Sequence, residues 1–260
     1  MADLLSTVIS SDKRRNVLLF LQENPKTLDE IKSALDVSAT GMLPQLKILE
    51  NEGLIIHSGR TYSLTTIGKT IVTHLEPFLQ TVDVFDSQKK FWREHLLSEL
   101  PEEILQDIRM LGKYRILETP DEEIFGIRTF LSNLDGAKEL KGLSHTVHPE
   151  YPEYFMKLAS NGTKLSLFFT PSVYRILLEK YQHLIKDYLD IDTVEAWVTK
   201  KDYKFSYAMT DKYFSISIFY ANGVFDNKND IISFDPSARM WGEKIHSYLL
   251  TQSEKIEPRR

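Results

Sequence analysis

The stretch from Thr27 to Leu64 reads as two short helices, a turn and a two-stranded hairpin, and this order limits the fold more than any other feature. Thr27 and Glu30 have the spacing of a capping box, in which each side chain accepts a hydrogen bond from the other residue's backbone N–H. Ser38 is a second helix N-cap, and Gly59 supplies the positive φ that a tight hairpin turn often needs. The stretch therefore predicts an α+β winged helix-turn-helix domain.

The second helix of this stretch would be the DNA recognition helix, with Leu43, Leu46 and Leu49 on its buried face. Pro44 removes a backbone hydrogen bond, so the helix either kinks there or becomes regular only near Leu43. Polar side chains at its exposed positions can read base edges or bind phosphate, and an arginine at the wing tip can enter a minor groove. We predict DNA contacts from Ser38, Thr40, Met42, Gln45, Lys47, Ser58 and Arg60.

The net charge of −5 is unevenly distributed along the chain. Up to residue 75, eight basic and eight acidic residues cancel, so the whole excess lies beyond it. A neutral domain can bind DNA if its basic residues converge on one face, with a modest and salt-dependent phosphate attraction. The run Lys13-Arg14-Arg15 either contacts phosphate or forms a solvated helix face, and Arg60 has the same two alternatives at its turn.

Composition excludes several classes of function. The absence of cysteine excludes disulfides, thiolate zinc sites, iron–sulfur clusters and thiol redox sensing. No apolar run approaches the roughly 18 residues of a membrane helix, and Asp3 stands where a signal peptide would carry positive charge. We therefore expect a cytoplasmic protein without a membrane partner, and no motif calls for a metal or another cofactor.

A repeating apolar pattern follows the wing. Its positions are separated alternately by four and three residues, which is the spacing of a coiled-coil seam, and the lysine within it could set the register. Pro77 must kink or divide the helix. We predict a homodimer, with the alternative that the same face packs within its own chain. The seam residues are Ile71, Leu75, Phe78, Val82, Phe85, Lys89, Trp92 and Leu96.

The pattern changes beyond residue 118 to alternating helices and strands, which predicts an α/β sandwich. Expected strands are 140–147, 164–170, 194–198, 203–209, 213–220 and 231–234, and expected helices are 152–160, 172–187 and 236–251. Another helix should begin at Pro101, and the polar stretch from Glu118 to Glu123 marks a boundary. The predicted domains are a winged helix-turn-helix at 1–75, linker and dimerisation helices at 76–118, and a sensor or output domain at 119–260.

Several motifs carry a resemblance to known families. Leu46-Lys47-x-Leu49-Glu50-x-Glu52-Gly53-Leu54-Ile55 and Tyr62-x-Leu64-Thr65-x-x-Gly68 resemble the winged domain of ArsR-like regulators. Phe91-Trp92-x-x-His95, Gly162-x-Lys164-x-Ser166-Leu167 and Phe234-Asp235-Pro236-x-Ala238-x-x-Trp241-Gly242-Glu243 extend the resemblance to winged-helix regulators of methanogenic archaea with a methanogenesis-regulator output domain. The resemblance implies a cytoplasmic, homodimeric DNA-binding regulator, and it does not supply a ligand.

The predicted output domain also looks distantly similar to the phospholipase D fold. An active phospholipase D site carries His-x-Lys-x-x-x-x-Asp, with histidine as nucleophile and lysine for phosphate. The matching register here is Lys204-x-Ser206-x-x-x-x-Asp211, which lacks both. The fold is therefore expected to be catalytically empty. His145 and His148 are spaced for a polar loop and would need a turn to ligate a metal together.

Three functions remain open from the sequence. The first is a transcription regulator whose partners are double-stranded DNA, a second copy of the chain and a small-molecule effector. The second is a winged-helix protein-interaction module, which the neutral charge of the first domain permits. The third is an enzyme of phospholipase D-like fold, which the missing histidine and lysine disfavour.

Overall fold

The structure, a computed structural model, describes residues 3–119 and 127–257, apart from the side chains of 127–130 and Leu184. It divides into two compact units, Met1–Val82 and Asp83–Arg260. The predicted boundary residues Asp121, Glu122 and Glu123 lie outside the described residues. Within the described part of the chain, no helix is long and apolar enough to cross a membrane.

The first unit is a helical layer with a small antiparallel sheet. Its sheet has the order β1-β3-β2, so the short strand β1 pairs with the outer edge of the wing hairpin β2–β3. The elements are α1 (Leu4–Ile9), α2 (Asp12–Phe20), β1 (Lys26–Thr27), α3 (Leu28–Leu35), α4 (Ala39–Asn51), β2 (Ile55–Ser58), β3 (Thr61–Leu64) and the first part of α5 (Thr66–Ser87).

Local signals set the helix-turn-helix. Both hydrogen bonds of the Thr27–Glu30 capping box are present at the start of α3. Asp36 ends that helix in the left-handed region with φ 49, and the Ser38 hydroxyl accepts from the Gly41 N–H at the start of α4. The turn between the helices is therefore specified by residues that lie within it.

The buried face of α4 differs from the predicted one. Met42, which we predicted to contact DNA, is fully buried with Leu46 and Leu49, whereas Leu43, predicted to be buried, is 44% exposed. Spacings of four and three residues keep Met42, Leu46 and Leu49 on one helical stripe, while Leu43 lies off it. The correction changes the reading face, because Leu43 replaces Met42 on the exposed side.

The predicted dimerisation seam is not one continuous helix. α5 ends at Ser87, and a separate helix, α6 (Lys89–Glu94), follows it, so Leu96 lies in no helix. Leu75 is buried in the core of the first unit, with Ile71 packed against it. Trp92 is buried in the core of the second unit, with Phe85 packed against it. Phe78 and Val82 remain 55% and 42% exposed, and Lys89 forms an exposed ion pair with Asp86.

The second unit is built on an eight-stranded mixed sheet with the order β11-β7-β6-β5-β8-β9-β10-β4. Strands β5, β6 and β7 pair in parallel, and all other pairings are antiparallel. The strands are β4 (Tyr114–Glu118), β5 (Glu139–Ser144), β6 (Lys164–Phe169), β7 (Val194–Thr199), β8 (Phe205–Thr210), β9 (Phe214–Ile218), β10 (Asn229–Ser233) and β11 (Ser253–Lys255).

Helices cover both faces of this sheet, as the predicted α/β sandwich requires. On one face, Phe205, Phe214 and Ile216 pack with Trp241 of the last helix. On the other, Leu165, Ala208 and Ile232 pack with residues of the helices between β5 and β7. The helices are α7 (Glu102–Leu105), α8 (Ile127–Leu134), α9 (Tyr151–Ser160), α10 (Pro171–Lys180), α11 (Gln182–Leu189) and α12 (Pro236–Thr251), with short 3-10 turns at Leu97–Glu99 and Ile108–Leu111.

Three segments differ from the sequence prediction. The helix expected from Pro101 onward is only one turn long, and the segment then continues into edge strand β4. The helix expected over 172–187 is two helices, because Tyr181 adopts a non-helical backbone between them. Residues of the predicted linker, including Phe91, Leu100 and Ile104, pack into the core of the second unit.

Candidate nucleic-acid interface and ligand cavity

The start of the recognition helix α4 lies against the start of α2. An Arg14 guanidinium N–H donates to Oε1 of Gln45 at 2.9 Å. The Lys13 Nζ lies 3.1 Å from the position that a Cβ on Gly41 would occupy. The first turn of α4, where backbone N–H groups point outward, is thus flanked by a lysine from α2.

The structure places the predicted DNA-contact residues in different environments. Ser38, Thr40 and Lys47 are exposed, and the Ser38 and Thr40 hydroxyls lie 3.1 Å apart. Gln45 is half-buried and bound by Arg14, so its amide carries less free hydrogen-bonding capacity than the sequence suggested. Lys47 pairs with Glu50 at 3.0 Å, which reduces its net charge toward DNA.

The wing presents two of the predicted residues at its tip. Ser58 and Arg60 are exposed on either side of Gly59, whose φ of 61 suits the turn. The rings of His57 and Tyr62 stack at 4.3 Å across the two strands. This cross-strand stack stabilises the hairpin next to the turn that carries Arg60.

Helix α2 contributes to this face beside the recognition helix. Periodicity along one helix cannot show which second helix the run Lys13-Arg14-Arg15 meets. In the structure Arg14 links α2 to α4, while Arg15 binds Asp12 and the Ile9 carbonyl. Lys13 is the member of the run that lies beside the recognition helix.

A cavity of about 140 Å³ lies on one face of the large sheet. Successive side chains of strands β8 and β9 point to opposite faces of the sheet. The large ones pack into the core on one face, namely Phe205, Tyr207, Phe214 and Ile216. Their neighbours on the opposite face are small, namely Ser206, Ala208, Ser215 and Ser217. Tyr151 and Phe155 of α9 also line the cavity. Small side chains beneath a covering helix leave the space that larger ones would fill.

Asp230, on β10, is one of the carboxylates that line this cavity. It is partly buried and accepts a hydrogen bond from the Ser217 hydroxyl at 2.9 Å. Burial raises the pKa of its carboxyl to about 6, although the hydroxyls of Ser217 and Ser215 act in the opposite direction. Burial of the Tyr151 hydroxyl, together with the charge of Asp230, raises the pKa of Tyr151 to about 12.

Two polar atoms at the cavity have no hydrogen-bond partner among the described residues. They are Nε2 of His145 and the hydroxyl of Tyr213, which is 2% exposed. Burial lowers the pKa of His145 to about 3, so its ring is neutral near pH 7. Its Nδ1 contacts the Ser206 hydroxyl. These atoms leave unused hydrogen-bonding capacity at the cavity.

Ser206 and Asp211, two positions of the phospholipase-like register, each bind a residue outside that register. Ser206 binds His145, and a carboxylate oxygen of Asp211 accepts from the backbone N–H of Lys138 at 2.9 Å. His145 and His148 both line the cavity. Among the described residues, no group of three or more histidine, aspartate or glutamate side chains is placed to hold a metal ion.

Two family models match the two parts of the chain. Residues 126–252 match the model described as "Methanogenesis regulatory protein FilR1, middle domain", and residues 2–87 match the "HVO_A0261 N-terminal domain". The expected resemblance to regulators of methanogenic archaea is confirmed. Most of the cavity lining, including His145, Tyr213 and Asp230, falls within the methanogenesis-regulator match.

One curated relative is the methanogenesis regulatory protein FilR1 of Methanothrix harundinacea (strain 6Ac). It is 21% identical over 262 residues, which cover 99% of this chain and 59% of the relative. The chain thus spans 59% of the length of the curated relative that it matches.

Solved structures give weaker similarities. The archaeal chromatin protein TrmBL2 has a TM-score of 0.45 at 14% identity, covering 97% of both chains. Nuc, a phospholipase D family member from Salmonella typhimurium, has a TM-score of 0.40 at 9% identity, covering 56% of this chain and 98% of its own. NucT from Helicobacter pylori has a TM-score of 0.42 at 14% identity, covering 55% of this chain and 99% of its own.

Proposed function

We propose that this chain is a cytoplasmic, homodimeric transcription regulator that binds double-stranded DNA through its first unit and senses a small molecule through its second. The observation that carries the proposal is the junction of α2 and α4, where Lys13 lies beside Gly41 in the first turn of the recognition helix and Arg14 binds Gln45 one turn later. The relationship to a named regulator supports the same function.

The charge of the proposed interface favours limited base readout. Lys13 supplies positive charge at the start of the recognition helix, and Arg60 supplies it at the wing tip. Ser38 and Thr40 add hydroxyl groups at the helix start. Such contacts address phosphate oxygens and groove shape more than base edges. Gln45 and Lys47 stay in the proposed interface with smaller contributions, since each already has a partner within its own unit.

Pairing of two copies completes the proposed mode of DNA binding. Phe78 and Val82 are exposed apolar residues four positions apart on α5 and therefore lie on one helix face. Burial of such a face against a second copy would remove apolar area from water. Two recognition helices in a dimer can address two half-sites of one operator.

We propose that the second unit is not an enzyme and that its phospholipase-like register is catalytically empty. Serine cannot replace the phosphate-binding lysine at residue 206, and lysine cannot replace the nucleophilic histidine at residue 204. The nearby His145 is a poor general base near neutral pH because of its low pKa. The cavity then serves binding instead of turnover.

A protein-interaction role is the second candidate, and exposed apolar residues favour it. Leu43 and Ile48 are exposed on α4, and Ile56 is exposed on the wing. Exposed apolar side chains on a recognition helix and its wing suit a protein surface better than a phosphate backbone. The two functions differ in which exposed residues of α4 and the wing they use.

Selection of bound fragments from genomic DNA, followed by titration of the recovered operator, tests the proposal. A Lys13→Ala plus Arg60→Ala variant should lose at least ten-fold in operator affinity, while Lys164→Ala, which removes an exposed lysine of the second unit, should not. A Leu43→Ser plus Ile48→Ser variant should bind DNA nearly normally. The reverse pattern, with DNA affinity intact in the first variant and recovery of a protein partner that the second one loses, would favour the interaction module.

A further inference from the structure

The cavity on the large sheet combines a carboxylate with aromatic walls. Tyr151 and Phe155 stack on each other at 5.4 Å, and Phe225 meets the His145 ring at 4.2 Å. All four side chains line the space that Asp230 enters from β10. Tyr213 lines the same cavity.

The other charged side chains among the described lining residues have the same sign as Asp230. Among the described lining residues, the carboxylates are Glu118, Asp226 and Asp230, and neither lysine nor arginine occurs. Asp226 is occupied, because His95, Asn229 and two backbone N–H groups bind it. Asp230 accepts only from serine hydroxyls in the described part of the chain. A partly buried carboxylate satisfied only by neutral donors is stabilised in its ionised form by a cation.

The unused polar atoms point to a ligand that can form hydrogen bonds. The Tyr213 hydroxyl is buried at the cavity and has no partner within the described residues, so it can accept a hydrogen bond from an N–H group. Aromatic faces attract a cation through their quadrupoles. An anion would face carboxylates, and an uncharged alcohol would leave Asp230 without a counter-charge. A small protonated amine satisfies the carboxylate, the hydroxyl and the rings together.

We propose that the cavity bounded by Asp230, Tyr213, Tyr151 and Phe155 is the effector site of this protein and that its ligand is a small organic cation bearing an N–H group. The ammonium lies between the Asp230 carboxylate and the Tyr213 hydroxyl, and its alkyl part contacts the aromatic rings. This assignment names the ligand class for the proposed sensing function. Only the effector role of the ligand rests on that function. The binding site itself stands independently of DNA.

Isothermal titration calorimetry on the full chain tests this ligand class without DNA. The probes are alkylammonium ions from one to four carbon atoms, each compared with the alcohol and the carboxylate of the same carbon skeleton. We expect at least one ammonium ion to bind at one site per chain, at least ten-fold more tightly than its matched alcohol, with no detectable heat from the carboxylate. Equal affinity for an ammonium ion and its alcohol, or absence of binding throughout the series, would overturn the proposal.

Two variants locate the binding. Asp230→Asn should weaken ammonium binding at least ten-fold, and Tyr213→Phe, which keeps the ring and removes the hydroxyl, should weaken it about three-fold. Asp187→Asn, which removes an exposed carboxylate of α11 from the same unit, should bind as the unchanged protein does. If both single variants, Tyr213→Phe and Asp230→Asn, kept the affinity of the unchanged protein, the site would lie elsewhere and the proposal would be overturned.

Operator titrations with and without the ammonium ion separate this proposal from the sensing function. A cation that binds in the cavity and leaves operator affinity unchanged supports the site and overturns its role as an effector site. Operator binding without any ammonium binding overturns the ligand class and leaves the regulator function intact.

Discussion

The Nε2 of His95 lies 2.8 Å from the Asp226 Oδ2, and both side chains are buried in the second unit. The other ring nitrogen, Nδ1, lies 2.6 Å from the Phe91 carbonyl oxygen. Burial acts to raise the pKa of Asp226, but hydrogen bonds from His95, Asn229 and the Lys228 backbone N–H outweigh it and lower the pKa to about 2. The imidazole ring therefore lies between two acceptors, a backbone carbonyl oxygen and a carboxylate oxygen.

Asp226→Asn should destabilise the second unit, because an amide replaces the carboxylate that His95, Asn229 and two backbone N–H groups bind. The loss of a buried hydrogen bond to a charged group costs about 2 kcal/mol. All three tryptophans, Trp92, Trp197 and Trp241, lie in the core of this unit, so tryptophan fluorescence during urea unfolding reports on it alone. His95→Gln and the double variant complete a cycle, and strictly additive effects would show that the two side chains do not interact.

The same pair makes a prediction about acid. The folded-state pKa of Asp226 is lower than its unfolded value, so the carboxylate contributes stability above pH 4 and loses it as the pH falls toward 2. The fluorescence-monitored urea midpoint of the unchanged protein should fall over this range. The midpoint of Asp226→Asn should fall less, and parallel curves would contradict the assignment.

Gly68 contacts the backbone of the wing from the first turn of α5. A Cβ at this position would lie 2.0 Å from the Leu54 carbonyl oxygen, which also accepts from Thr65. Alanine favours a helix over glycine by about 1 kcal/mol, yet the clash requires a backbone shift that costs about 1–3 kcal/mol. Gly68→Ala should lower the thermal midpoint of the first unit, as followed by far-ultraviolet circular dichroism.

Gly41→Ala is a matched control for that substitution. It lies in α4 of the same unit, and its nearest neighbour would be the flexible end of Lys13 at 3.1 Å. We expect it to leave stability unchanged or to raise it slightly. Equal destabilisation by both substitutions would indicate a general cost of alanine in these helices instead of the contact with Leu54.

The first unit was largely predictable because its signals are local. The capping box at Thr27 and the N-cap at Ser38 act within one turn of the chain, and each is present as predicted. The phase of α4 was wrong, because Leu43 and Met42 are adjacent apolar residues and only tertiary packing decides which one is buried. Likewise, the sequence could not show that Arg14 meets Gln45, since 31 positions separate them.

The cavity could not be predicted from the sequence, because it depends on which distant helix covers the sheet. Strand β8, Phe-Ser-Tyr-Ala-Met-Thr, alternates large apolar and small residues, a pattern typical of a strand with one face in solvent. Instead, the small residues face a covered layer, and Ala208 is buried with Tyr213. Whether a polar face meets water or a helix depends on chain that is distant in sequence.

Phe78 and Val82 provide a test of the homodimer. Phe78→Glu places a charge on the exposed apolar face of α5, where pairing would have to bury it at a cost of several kcal/mol. Sedimentation equilibrium should give a dimer for the unchanged chain and a monomer for the variant at micromolar concentration. Val224→Glu changes an exposed apolar residue of the second unit and should remain dimeric. A dimeric Phe78→Glu protein would exclude this face as the interface.

Arg60 gives a prediction about salt dependence. If its guanidinium neutralises one phosphate, its removal reduces the slope of log affinity against log salt concentration by about 1. Arg60→Ala should show this change on the recovered operator between low and moderate salt. Arg60→Lys keeps the charge and should restore most of the slope. A slope that is identical in the alanine variant and the unchanged protein would remove Arg60 from the interface.

Asp230 gives a stability prediction opposite in sign to that of Asp226. Its folded-state pKa of about 6 lies above the unfolded value near 4, so the folded protein binds more protons between these pH values. Ionisation of Asp230 therefore destabilises the folded protein as the pH rises through 6.

Asp230→Asn removes that titration and should be more stable than the unchanged protein at pH 8, by about 1–2 kcal/mol after allowance for water in the cavity. At pH 4 the two proteins should differ little, because the carboxyl is then largely protonated in the folded state. Tryptophan fluorescence with urea at both pH values measures this difference, and Asp187→Asn serves as the control for removing a surface carboxylate. A difference between Asp230→Asn and the unchanged protein that is the same at both pH values would mean that Asp230 does not titrate in this range.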